Sequence, residues 1–381
     1  MKKTILYFGK MNLPLNNASA VRAVNICNKL SEFYDVRMFG HGDKKESFTF
    51  LNIHCTNSIY PRNTWEYIKQ FASSRFITKS FKSIDPKEVK AVFVTSIGFI
   101  NLNKLIRLSK KYEFVIIWDR GDVLKTTEGS VAKKILYKID EFIFTRLALK
   151  HAKPMCVSTF ILNLSKPKNK DSFLFPVVYD KKIRNETSEI SKEYSDISQN
   201  LTLFYAGYPG AFFSKDRLDY AVQSFLFCVE NYNNNAKFYI AGLTKSQFEM
   251  WAPNIKLNNN VIFLGKIDND SCRRYLKSSH FSVLFRDDIL STKAGFPSKL
   301  VESVACETPF MTNATSDIDL YFNNKNSIIE KGYGANAALR MMERAFKIKP
   351  NEYISMVSEL KNNTTLDVVN WEHILLERIE R

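Results

Sequence analysis

The sequence has no apolar run near the roughly 20 residues of a membrane-spanning helix. Its longest apolar stretches, such as Phe114 to Trp118, stop after a few residues. The apolar run Thr4 to Phe8 after Met1-Lys2-Lys3 is too short for a signal peptide, and no small-residue cleavage site follows it. Paired cysteines are missing too: Cys27, Cys55, Cys156, Cys228, Cys272 and Cys306 stand singly, without C-x-x-C spacing. That disfavours a zinc site or a dithiol redox motif, and no metal is expected. The histidines form no H-E-x-x-H pair. Neither G-x-G-x-x-G nor G-x-x-x-x-G-K-[ST] occurs, which disfavours a simple dinucleotide-binding or P-loop enzyme. There is no G-x-S-x-G hydrolase elbow. Acid is also short, with 39 Asp and Glu against 55 Lys and Arg, a net charge of +16.

What is present fits a globular chain. With 45% apolar and 25% charged residues, disorder and coiled coil are poor readings. The length, 381 residues, suits two or three domains. The charge is uneven. Residues 1–180 hold 30 basic and 15 acidic side chains, while residues 201–381 hold 21 and 20. Such asymmetry points the first half at an anionic surface. Trp65 to Ile84 interleaves Lys69, Arg75, Lys79 and Lys82 with Trp65, Phe71, Phe76, Ile77 and Phe81. This reads as one long basic helix suited to a membrane interface, or as an apolar stripe packed on a sheet.

β-rich runs alternate with helical stretches. Ile5–Phe8, Val36–Phe39, Leu51–His54, Ala91–Thr95, Phe114–Trp118 and Met155–Ser158 read as strands. Helical stretches between them include Ala20–Phe33, Leu102–Lys110 and Lys133–Lys150. The segment 181–200 is polar and reads as a linker. The alternation restarts at Leu203–Ala206, followed by a helix expected over Lys215–Asn231. This pattern predicts an α/β architecture of two doubly wound units, each with a parallel sheet. The default site is a cleft at the strands' carboxyl ends.

Two segments carry candidate chemistry. Phe204-Tyr205-Ala206-Gly207-Tyr208-Pro209-Gly210, followed by Ser214-Lys215-Asp216, is a strand, a glycine turn and an expected helix start. Glycines allow close backbone approach, helix-start N–H groups favour phosphate, and Lys215 adds charge. The second segment runs from Gly295-Phe296-Pro297-Ser298-Lys299 through Glu302 to Cys306-Glu307-Thr308-Pro309. Pro297 suits a first helical turn. Glu302, about one and a half turns in, could accept bonds from two vicinal hydroxyls.

The second segment resembles the signature of family 4 glycosyltransferases of the GT-B fold, matching at Pro297, Lys299, Glu302, Thr308 and Pro309. Val261 to Gly265, Tyr275 and Phe281 to Phe285 resemble the block that precedes it, and the Gly207–Lys215 loop resembles the family's first donor-domain loop. Pro14 to Arg22, Trp118-Asp119, and Cys156-Val157-Ser158 with Phe175 to Asp180 extend the likeness into the first half. Two departures stand out. Ala294 occupies the place of the family's first acidic residue, with Asp287 and Asp288 further upstream. Tyr208 replaces an Arg that often follows the loop glycine, and Arg286 is a candidate to supply that charge.

The resemblance implies two Rossmann-like domains facing each other across a cleft. The acceptor domain spans 1–180, the linker 181–200 and the donor domain 201–364, with a C-terminal helix at 365–381 returning to the first domain. It implies retaining transfer from a nucleotide-diphosphate sugar, UDP-linked, to a lipid-linked or glycan acceptor in bacterial surface-polysaccharide synthesis. The donor would meet Gly207, Gly210, Lys215, Phe296, Pro297, Ser298, Lys299 and Glu302. Lys215, Glu302, Arg286 and Asp119 would act in catalysis. Asn16, Asn17, Arg22 and Asp119 would face the acceptor. No cofactor and no nucleic acid is expected. The expected place is the cytoplasm, peripheral on the inner face of the membrane. The rivals are a basic nucleic-acid-binding protein, an epimerase of the same fold and a catalytically dead relative.

Overall fold

In the computed structural model, residues 2–380 are described except 62, 64, 67–72, 124–130, 181–196, 198, 233 and 234. The chain divides into two units, Met1–Asp180 with Val368–Arg381, and Lys181–Asp367. Most of the expected linker lies outside the described residues.

The first unit opens with β1 (Thr4–Gly9), α1 (Ala18–Leu30) and β2 (Asp35–Gly42). The Asn17 side chain caps α1 by accepting the Ala20 N–H at 2.9 Å. β3 (Glu46–Phe50) and β4 (Ile53–Ile59) pair antiparallel. The strand expected over Leu51–His54 is therefore two strands joined by a turn, with Leu51 at φ 53°. The period-2 run Glu46-Ser-Phe-Thr-Phe50 is short, exposed and polar on alternate positions, so it carries little apolar signal.

A helix α2 (Arg75–Ser80) and a 3₁₀ turn at Phe81–Ser83 replace the long basic helix over the part of that stretch described from 73 onward; Lys69 and Phe71 lie outside the described residues. β5 (Val89–Thr95), α3 (Phe99–Tyr112), β6 (Val115–Arg120), α4 (Val131–His151), β7 (Lys153–Cys156), α5 (Thr159–Ser165) and β8 (Phe173–Leu174) follow. The sheet order is β3-β4-β2-β1-β5-β6-β7-β8, parallel apart from the β3–β4 pair. Strands in its middle are buried along their length, as both faces of a parallel sheet require.

The second unit contains β9 (Thr202–Ala206), α6 (Leu218–Tyr232), β10 (Lys237–Ala241), α7 (Lys245–Trp251), β11 (Val261–Gly265), α8 (Asn269–Ser278) and β12 (Phe281–Leu284). It continues with α9 (Leu290–Ala294), α10 (Ser298–Ala305), β13 (Phe310–Asn313), α11 (Ile318–Tyr321), β14 (Ile328–Glu330), α12 (Gly334–Phe346) and α13 (Pro350–Asn362). Its six strands run parallel in the order β11-β10-β9-β12-β13-β14. From β9 the chain winds outward through β10 and β11, then returns to the other side of β9 for β12. The order thus reverses between β9 and β12, and in open α/β sheets a ligand crevice lies beyond the carboxyl ends at such a point. Phe225, Phe238, Phe281 and Tyr353 fill one face. Tyr353 fixes α13 by donating its hydroxyl to the His280 carbonyl at 2.7 Å. α14 (Glu372–Glu380) closes the chain in the first unit.

Candidate nucleotide-sugar site

The switch point of the second sheet gathers side chains from three connections. β9 ends at Ala206, and Gly207 turns the chain at φ +123°. A Cβ on Gly207 would stand 2.7 Å from Lys299 Cε. Glycine is therefore required both by the backbone and by the lysine lying against it. Gly242, at the end of β10, is confined in the same way, since its Cβ would come within 2.7 Å of the Gly207 backbone.

The loop after Gly207 differs from the expectation of a phosphate-binding helix start. α6 begins at Leu218, not at Lys215. The N–H groups at the loop's end are already used internally. Those of Lys215 and Asp216 donate to the Pro209 carbonyl at 2.9 and 3.0 Å, and that of Ser214 to Ala211 at 3.2 Å. Gly210 adopts φ +82° at the start of this turn. The Lys215 side chain on this loop is exposed.

The next residue, Asp216, is fully buried and organises the site. Its carboxylate accepts from Arg286 Nε at 2.8 Å, from the Tyr205 hydroxyl at 2.8 Å, and from Lys299 Nζ. Burial alone would raise its pKa. The two cations and the hydrogen bonds from Lys299 and Tyr205 outweigh this and hold it well below the usual carboxylate range. Lys299 Nζ also lies 2.9 Å from the Tyr205 hydroxyl and 4.1 Å from that ring's centroid. Removal from water brings its pKa down to about 8. Asp216 resists this, while Arg286 and Lys215 add to it. Arg286 lies two residues past β12 and is locked further by Asn313 at the end of β13. Its N–H donates to Asn313 Oδ1 at 2.9 Å, and Asn313 Nδ2 donates to its carbonyl at 2.7 Å. Arg286 is thus a buried member of an ion network and not an exposed surface pair.

α10 supplies the third part. Pro297 is the residue before its first turn, with an extended backbone, so the helix proper begins at Ser298. Its leading N–H groups lie where a helix start attracts anions. Phe296 is buried and packs edge-on to Tyr321 at 5.5 Å, which fixes the loop before the helix. Ser303 and Ser282 share a 2.6 Å hydrogen bond that seats α10 on β12. Glu302 stays exposed on α10. The protein around its carboxyl raises its pKa, against the lowering pull of Lys299 and Arg273.

Ala294 is fully buried at the end of α9. The two acids upstream of it are both paired, Asp287 with Arg217 at 2.7 Å and Asp288 with Lys293 at 3.1 Å. Among the described residues no group of three or more His, Cys, Asp or Glu side chains could hold a metal ion.

The candidate residues of the first unit have other partners. Arg22 Nε donates to both Asp119 oxygens at 3.1 Å. Its other nitrogens reach the carbonyls of Phe175, at 2.9 Å, and Pro176. The Tyr7 hydroxyl donates to Asp119 as well. Both charges are buried, so their polar atoms are used on each other and on the backbone. Burial at the ends of β6 and α1 leaves a charge no alternative to a protein partner. Asn16 donates to Asn12 Oδ1 at 3.3 Å, and Asn17 is the helix cap. Of the expected set, Gly207, Lys299 and Arg286 converge on one cluster. Asp216, Tyr205 and Asn313 belong to it and were not singled out. Two of Asp216's partners, Arg286 and Lys299, are 70 and 83 residues away in sequence.

Residues 191–361 match the family model described as glycosyl transferases group 1. The whole chain resembles solved structures of the GT-B type. Against Anabaena Alr3699/HepE in complex with UDP-glucose the TM-score is 0.69 at 10% identity, covering 99% of each chain. Against a sucrose-phosphate synthase from Thermosynechococcus elongatus it is 0.68 at 13% identity, covering 99% of this chain and 97% of the other. Against an α,α-trehalose 6-phosphate synthase from Burkholderia multivorans it is 0.64 at 10% identity, covering 100% and 96%. No curated protein matches the sequence. A switch-point site on an all-parallel sheet, inside a matched domain, leads to one conclusion: the chain carries a glycosyl transferases group 1 domain at residues 191–361 and is a glycosyltransferase.

Proposed function

We propose that the protein transfers a sugar from UDP-sugar to a lipid-linked or glycan acceptor in bacterial surface-polysaccharide synthesis, with retention at the anomeric carbon. The observation that carries the donor assignment is the convergence of Gly207, Lys299 and the α10 start at the sheet's switch point. UDP is the carrier in the HepE complex, which supports the choice of base. Lys215, Lys299 and the leading N–H groups of α10 face the diphosphate and stabilise the charge that develops as it leaves. Arg286 adds positive field through Asp216. Glu302 accepts the ribose hydroxyls. The reading requires no metal and no cofactor. The acceptor belongs to the first unit, where the loop of Asn16 and Asn17 follows β1. Arg22 and Asp119 hold that end of the unit together. The basic first unit works at the inner face of an anionic membrane, where lipid-linked acceptors are held.

Glu302→Ala and Lys215→Ala are each expected to lower turnover at least about tenfold, the usual range for one stabilising group. Both residues are exposed, so melting temperatures should hold. Unchanged transfer and donor hydrolysis in both variants would overturn the donor assignment. A thermal-shift panel of UDP-, GDP-, ADP- and CMP-sugars reads the base directly.

A further inference from the structure

Helix α4 is apolar on two opposite sides. One side packs inward: Phe144 and Ala148 are buried, and Phe144 meets Trp118 edge-on at 5.7 Å. The other side faces solvent. Val131, Ile135, Ile139 and Phe142 are 73%, 53%, 50% and 56% exposed. At about 100° per residue these four fall within an arc of about 80° on the helix. A contiguous stripe of this kind is unlike the scattered apolar residues of an ordinary surface.

The stripe is flanked by cations. Exposed Lys134 and Lys138 run along one side, exposed Lys150 lies on the other, and exposed Arg146 continues the stripe beyond Phe142. The Arg146 guanidinium sits 4.2 Å above the Phe142 ring. The helix's two acids lie elsewhere: Asp140 accepts the Phe99 N–H at 2.8 Å at the start of α3, and Glu141 is half-buried. Because α4 follows β6 in a parallel sheet, its first turns stand at the strands' carboxyl end, where ligands of open sheets are taken.

We infer that the exposed face of α4 docks the first unit on an anionic bilayer, its apolar stripe entering the interface and its cations meeting the headgroups. The inference rests on the lipid-linked-acceptor reading and names the element that would serve it. Charge selects the occupant. The residues 1–180 hold 30 basic and 15 acidic side chains, so a second copy would bring like charge against like. An anionic lipid surface complements both the stripe and its flanks.

The test is co-sedimentation of the full chain with phosphatidylglycerol–phosphatidylcholine vesicles and with phosphatidylcholine vesicles, at low and high salt. The wild type should bind the anionic vesicles, prefer them over neutral ones, and be released by salt. The double variant Ile135→Asn, Ile139→Asn and the double variant Lys134→Glu, Lys138→Glu should each lower binding at least about tenfold. Their melting temperatures and UDP-sugar thermal shifts should stay at the wild-type values. Three results would overturn the inference: wild type that ignores anionic vesicles, variants that bind like wild type, or stripe substitutions that change only the protein's own oligomeric state. UDP-sugar binding is read separately, so loss of the donor assignment with vesicle binding intact would strike the enzymatic reading alone.

Discussion

At the scale of single residues, Lys299 is the group with the most to reveal. Its amine lies beside Gly207, yet its charge is shared with Asp216 and opposed by Arg286. With its pKa lowered to about 8, it is protonated below that pH and loses its charge as pH rises through it. UDP-sugar affinity should therefore fall as pH climbs past about 8, as measured by titration calorimetry. Lys299→Arg should flatten that fall, because a guanidinium stays charged. The effect on folding has the opposite sign. Between about 8 and the ordinary lysine value the unfolded chain binds more protons, so this group's contribution to stability improves with pH. That Gly207 and Lys299 belong together was legible in the sequence because both sit in motif positions at local spacing. Asp216 was not, because its role exists only once the turn after β12 and the start of α10 bring Arg286 and Lys299 to it.

At the scale of elements, the described part of the 65–84 stretch follows the second of its two readings, an apolar stripe packed on a sheet. Phe76, Ile77 and Phe81 belong to the first unit's core: Phe76 meets Phe8 edge-on at 5.7 Å, and Phe81 stacks on Phe114 at 6.2 Å. A contiguous exposed apolar stripe lies instead on α4. Its length and ends were readable, but a helix apolar on both sides reads as wholly buried. The two elements should differ sharply under substitution. Phe81→Ala should cost about 2–4 kcal/mol of stability, since it opens a hole beside packed rings. Ile135→Ala on α4 should stay within about 0.5 kcal/mol, as exposed positions do. Urea denaturation of the two variants checks both values. Strand order was likewise beyond local reading. Alternation of strand and helix indicates parallel sheets, but only the pairing shows that β12 returns beside β9.

At the scale of the whole molecule, the charge and the chain path divide along the same line. The cationic excess lies in the unit proposed to meet membrane and acceptor, and the near-neutral unit holds the donor cluster. The path is less simple than two halves in series. After the second unit, Val368 donates its N–H to the Tyr179 carbonyl at 2.8 Å. Trp371 then meets Phe175 at 5.9 Å, Lys29 pairs with Glu372 at 2.9 Å, and Lys90 pairs with Glu380 at 2.8 Å. Leu375 and Ile379 are fully buried there. The first unit is therefore a discontinuous fold, built from two separate stretches of the chain. A fragment ending at Asp180 should be unstable alone and should recover its thermal transition when a synthetic peptide of residues 368–381 is added. A full thermal transition of the fragment without the peptide would show that α14 is dispensable. The same feature makes the protein a natural subject for split-reporter complementation, with the short terminal helix as the tag and the first unit as its receiver.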